Sequence, residues 1–148
     1  MLLAEALAER AQAQERLNSL HERLLAVVRV QEGDTPEEDP QELLRELDGV
    51  TGRIDELVQA INATNIATAF DEKRNLMEAL ALRDGLLRKR RIYHDLAQRA
   101  GTRSDRYSRN EIKFVSTISV ADMRKRVDDL SKQYRELDTR IQQLNWNT

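Results

Sequence analysis

Val120, Met123, Val127, Leu130, Tyr134, Leu137, Ile141 and Leu144 recur at spacings of 3, 4, 3, 4, 3, 4 and 3. That alternation holds apolar side chains on one stripe of an α-helix for more than three heptads, a pattern of no use to a strand or a loop. A striped helix gains its stability from a neighbour that covers the stripe. The end of the chain therefore demands a helix over residues 119–145 and at least one helical partner. Ser119 supplies the start, because its hydroxyl can accept a first-turn amide. Asp122, three residues on, sits at the positive end of the helix dipole.

Leu43, Leu47, Val50, Ile54, Leu57 and Ile61 repeat the pattern at 4, 3, 4, 3 and 4, which predicts a helix over 40–62. Asp39 caps it, Pro40 fits its first position, where a missing N–H is harmless, and Glu42 favours the dipole. Gly49 and Gly52 weaken this helix by about 1 kcal/mol each relative to Ala and would let a neighbouring helix come close. The polar cluster Asn62, Thr64, Asn65 and Thr68 reads as its end. A first helix is expected over 2–29, with Ala6, Ala13, Leu17, Leu20, Leu24 and Val27 on one face, interrupted by Arg10. A third is expected over 75–100, with Asn75 and Glu78 as a capping pair and Gly101 as the stop. Its main stripe is Leu82, Leu86, Tyr93 and Leu96; Leu76, Leu80 and Leu87 form a second.

Composition agrees. Ala, Glu, Lys, Leu and Arg make up about half of the 148 residues, and only 5 Gly and 2 Pro are present, too few turn residues for a sandwich or barrel. With no cysteine, a disulfide scaffold, a thiolate metal site and a cysteine nucleophile are excluded. The expected fold is all-α: an antiparallel four-helix bundle of long helices in a single domain over 1–148. Its close competitor is a set of long hairpins that complete their core by oligomerising, and a homo-oligomer is expected. The longest apolar run, Leu24–Val28, is far short of the roughly 18 residues a membrane span needs. The opening MLLAEALAER lacks the basic region of a secretory signal. These features predict a soluble, cytoplasmic protein without a membrane partner.

The third connection is long, and residues 112–118 alternate like a strand: Ile112, Phe114 and Ile118 on one side, Lys113, Val115 and Thr117 on the other. A lone strand needs a partner for its backbone groups. The expectation is a short β segment paired with residues 27–30, or with its own copy in another subunit.

Charge is unevenly spread. Residues 1–82 carry a net −9, residues 83–113 a net +6 and residues 114–148 a net +1. Arg103, Arg106 and Arg109 recur every three residues, with Ser108 and Lys113 close by. In a three-residue-per-turn conformation the three guanidinium groups share a side and could clamp a phosphate or carboxylate. The competing reading pairs them with the acidic connection holding Glu32, Asp34, Glu37 and Glu38. The run Arg88–Arg91 fans out around a helix, so nucleic-acid binding is open but not favoured.

No metal or cofactor site emerges. Neither His21 nor His94 completes a Glu-x-x-His pair, and a helical Glu-x-x-Glu is absent. Nor is there a Gly-rich phosphate loop. No catalytic residues are assigned, and an enzyme using the Arg-rich loop is the least favoured reading. Trp146 reads as a packing anchor.

The stretch Asp105-Arg106-Tyr107-Ser108-Arg109-Asn110-Glu111-Ile112-Lys113-Phe114-Val115-Ser116-Thr117 resembles a signature of a small, functionally uncharacterised bacterial family often labelled septicolysin. So do Val30-Gln31-Glu32-Gly33 with Glu38-Asp39-Pro40, Ile61-Asn62 with Thr64-Asn65, and the ending Asn145-Trp146. The likeness runs along essentially the whole chain and brings no established active site. The label implies a pore-forming cytolysin, whereas the chain offers neither a membrane-length apolar run nor an amphipathic strand pair. The function expected is a self-associating structural or binding module. Anionic-ligand binding through Arg103, Arg106, Ser108, Arg109 and Lys113 is the alternative.

Overall fold

The computed structural model describes residues 1–102 and 112–148. It is all-helical, with α1 (Leu3–Val27), α2 (Pro40–Ala67), α3 (Leu76–Ala100) and α4 (Val120–Asn147). At 25, 28, 25 and 28 residues they are about 38–42 Å long. The chain divides into two compact units, Met1–Ala69 with Leu144–Thr148, and Phe70–Gln143.

In the first unit α1 and α2 run antiparallel. Their register is legible in three crossing ion pairs: Glu9 with Arg53 at 2.7 Å, Arg16 with Glu46 at 3.5 Å, and Arg23 with Glu38. The α1 partners are seven residues apart, so the charges flank the apolar seam once per heptad. Between them Leu20, Leu24, Val27 and Leu43 form a buried cluster, against which Leu47 and Val50 pack. Leu3, Ala6, Leu57 and Ile61 are buried toward the other end. The last residues belong here too: the Thr148 carbonyl accepts from the Leu3 N–H at 2.8 Å. It thereby satisfies one of the amides that a helix start leaves without a partner. Asn145 is buried, whereas Trp146 is exposed, so the residue beside the tryptophan does the packing expected of the tryptophan itself.

The helix starts form as expected. Asp39 Oδ1 accepts from Gln41 N at 2.9 Å. Asn75 and Glu78 cap each other's backbone, and Ser119 Oγ accepts from Asp122 N. Gly101 ends α3, its N–H bonded to the Ala97 carbonyl. Helix α2 runs to Ala67 rather than 62, straight through Asn62, Thr64 and Asn65. Residues of this kind cost only a few tenths of a kcal/mol each in a helix, less than a buried Ile61 contributes. The helix stops at Thr68, whose backbone turns extended while its N–H still bonds Thr64. Asp71 then folds the connection, accepting from both Lys73 N and Arg74 N at 2.8 Å.

In the second unit α3 and α4 are antiparallel. Arg83 donates to Asp138 at 2.9 Å, Arg90 to Ser131 at 2.6 Å and Arg126 to Tyr93 at 3.0 Å. Val127, Leu130, Leu137 and Ile141 of the α4 stripe are buried. On α3 the expected main stripe is inward in part: Leu86 and Tyr93 are half-buried, and Tyr93 bonds Arg126 of α4, whereas Leu82 and Leu96 are exposed. The face turned inward has Leu76, Ala79 and Ala97 buried and Leu80, Leu86, Leu87 and Tyr93 half-buried, so both stripes contribute, with Arg83 and Arg90 set among them. Each arginine has a polar partner on α4, which makes its partial burial tolerable.

The expected β segment is not formed. Residues 112–116 have no regular secondary structure and 117–118 form a bend, and among the described residues there is no strand at 27–30 either. Strand-like alternation needs a ladder to become a strand, and no backbone–backbone hydrogen bond engages residues 112–116 among the described residues.

Candidate functional site

Arg103, Arg106, Ser108 and Arg109 lie outside the described residues. Lys113, the fifth residue of the expected anion site, is exposed. The acidic connection finds a partner within its own unit: Glu38 accepts from Arg23 Nε at 3.1 Å.

What the structure does present is an apolar surface on the third connection. Ile112 is 88% exposed, Phe114 87% and Val115 80%. Large apolar side chains so bare in one segment mark an interaction surface more often than a solvated loop. The segment is held at its far end by Ser116, whose hydroxyl donates to the Ile118 carbonyl and accepts from Ile118 N. This small turn feeds the chain into the Ser119 cap. Residues 114–118 form one wall of a groove of about 470 Å³, with Leu96, Arg99 and Ala100 from the last turn of α3 and Thr102 completing it. Thr102 is fixed there by a bond from its hydroxyl to the Gln98 carbonyl. The lining is mostly apolar with one cation, a character suited to an apolar or extended partner rather than to proton transfer.

A second groove, of about 480 Å³, lies in the first unit, where Ala13 stands opposite Gly49 and Val50. Small residues face each other there and the helices leave a gap. The Glu9–Arg53 and Arg16–Glu46 pairs close its two ends. Added Cβ atoms at Gly49 and Gly52 would meet nothing within 4 Å. Within the first unit the two glycines therefore do not serve the close helix approach expected of them.

Electrostatically the described residues are quiet. The Arg53 side chain, hydrogen-bonded to Glu9, holds that carboxyl below its ordinary range, and Arg23 does the same for Glu38. Asp71 is lowered chiefly by the backbone N–H of Lys73. These shifts all come from structural pairs or turns, and none marks a poised acid, base or nucleophile. Among the described residues no three His, Asp or Glu side chains converge to hold a metal ion. Tyr93 is flanked by two cations, Lys89 at 5.9 Å and Arg126 at 5.3 Å from the ring centre, so the aromatic nearest the Arg88–Arg91 run is already engaged. No described helix is long and apolar enough to cross a membrane.

The apolar surface lay open to sequence reasoning, since the alternation at 112–118 was visible. The groove did not, because its other wall comes from Leu96 and Ala100, distant in sequence.

The described residues thus form two helical hairpins, the second with an exposed apolar connection. Residues 10–148 match a family of unknown function, DUF6847, and the chain belongs to it. The crystal structure of a functionally unknown conserved protein from Corynebacterium diphtheriae is similar over nearly its whole length. It shares 52% identity and a TM-score of 0.93, covering 100% of this chain and 97% of that one. No curated protein matches the chain.

Proposed function

We propose that the protein is a self-associating helical module, working in the cytoplasm as a homo-oligomer whose association builds a structural or binding platform. The observation that carries this reading is the exposure of Ile112, Phe114 and Val115 beside the groove lined by Leu96 and Ala100. Exposed apolar area of this kind is removed from water by association at about 25 cal/mol per Å². Leu25, Val28 and Val30, also exposed, support the reading from the first unit. The antiparallel bundle of all four helices expected from their stripes belongs to the same proposal, as the scaffold that is repeated. The likeness to the septicolysin-labelled family adds no activity to it.

Sedimentation velocity across the micromolar range is the test. A discrete dimer or higher oligomer is expected, whereas a well-folded monomer throughout would overturn the proposal. Anion binding by Arg103, Arg106, Ser108, Arg109 and Lys113 is the second reading. It rests on the spacing of the arginines and on the exposure of Lys113.

A further inference from the structure

We infer that the self-association proposed above is made by residues 112–116 pairing antiparallel with the same residues of a second copy, about a twofold axis at Phe114. The inference rests on that reading and names its interface.

Four observations support it. The segment has strand composition, with β-branched and aromatic residues and neither Gly nor Pro between Ile112 and Ile118. Among the described residues its backbone makes no backbone–backbone hydrogen bond, and a run of N–H and C=O groups outside any described ladder is the usual template for strand addition. Its apolar side chains are nearly bare. Finally, the segment's own geometry selects a register. The bend held by Ser116 and Ile118 closes the irregular stretch at residue 116, and an axis at Phe114 uses all of 112–116.

That register pairs Phe114 with Phe114, Lys113 with Val115 and Ile112 with Ser116. Aromatic side chains directly opposite each other across an antiparallel pair are favourable. An axis at Lys113 would set two ammonium groups face to face, which is not. An axis at Val115 would have to unwind the 116–118 bend. Isologous pairing of this kind is closed, so it yields a dimer rather than a fibre.

Cysteine cross-linking reads the register directly, because the chain has no cysteine of its own. Opposite residues of an antiparallel pair have Cα atoms about 4.5–5.5 Å apart, within disulfide reach. In Phe114→Cys the two introduced thiols face each other. In Ile112→Cys they are displaced by four residues, about 13 Å along the strand. The two parent side chains are equally exposed, so random collision cross-links both variants alike. A mixture of Lys113→Cys and Val115→Cys retains Phe114 and sets thiols opposite one another only in the mixed dimer.

Under mild oxidation Phe114→Cys should cross-link at least about tenfold faster than Ile112→Cys, as tenfold is the effect of only about 1.4 kcal/mol. The mixture should likewise outpace either of its components. If the loss of Phe114 weakens association, the mixture decides. Equal rates in a chain that sediments as an oligomer would overturn this interface and leave self-association standing. A monomeric wild type would overturn both.

Discussion

Replacing Gly49 and Gly52 with alanine is expected to stabilise the protein. Both lie well inside α2, where glycine costs about 1 kcal/mol relative to alanine because its backbone loses more freedom on folding. Whether that gain is realised depends on what a new Cβ would strike. At both positions it meets nothing within 4 Å, and both glycines have negative φ, so neither clash nor backbone strain offsets it. The double variant should gain about 2 kcal/mol and each single variant about half. For a chain near 150 residues this corresponds to roughly 4–8 °C in Tm. Urea and thermal unfolding followed by far-UV circular dichroism would measure it, with sedimentation run alongside. If the variants unfold earlier than wild type, a neighbour occupies the space beside Gly49, and the gap opposite Ala13 is filled in the working protein. That result would refute the open groove and restore the glycines to the role of close-approach sites.

Leu20→Ala should cost about 2–5 kcal/mol, because Leu20 is fully buried among Leu24, Val27 and Leu43; a loss below about 1 kcal/mol in chemical denaturation would contradict that packing. Glu9, Glu38 and Asp71 have lowered carboxyl pKa values. Their stabilisation is therefore present above the unfolded carboxylate range near pH 4 and is lost as pH falls through the folded values. Glu9→Gln should unfold earlier than wild type at neutral pH and match it in strong acid, an effect kept small by exposure and salt screening. For the second functional reading, Arg106→Ala should weaken binding of inorganic phosphate or of a single-stranded oligonucleotide, more so at low salt. Unchanged affinity in fluorescence or calorimetric titration would remove that reading.

Much of the fold was legible because local rules govern it. Asp39-Pro40, Asn75 with Glu78, and Ser119 with Asp122 start helices by hydrogen bonds that span at most three residues, and such short-range chemistry is written into consecutive letters. The α4 stripe was equally plain. On α3 the same pattern leaves two stripes, both of which contribute to the inner face, and it discounts the charged positions between them. Arg83 and Arg90 sit on the inner face and are acceptable there only because Asp138 and Ser131 lie opposite on α4. The helical continuation through Asn62–Asn65 was missed for a similar reason: polar letters suggested an end that no breaker enforces.

Taken alone, the amino-acid order determined that there are four helices, where most of them begin, and that one connection carries an apolar alternating segment, since each depends on periodicity or capping within a few residues. Tertiary structure alone decided the register of each hairpin, through Glu9 with Arg53 and Arg83 with Asp138. It also decided which α3 face turns inward, and that residues 112–116 stay without a backbone partner among the described residues. Those outcomes depend on side chains more than 40 residues apart meeting in space, and pairing at that separation is set by the packed ensemble of partners rather than by any local pattern.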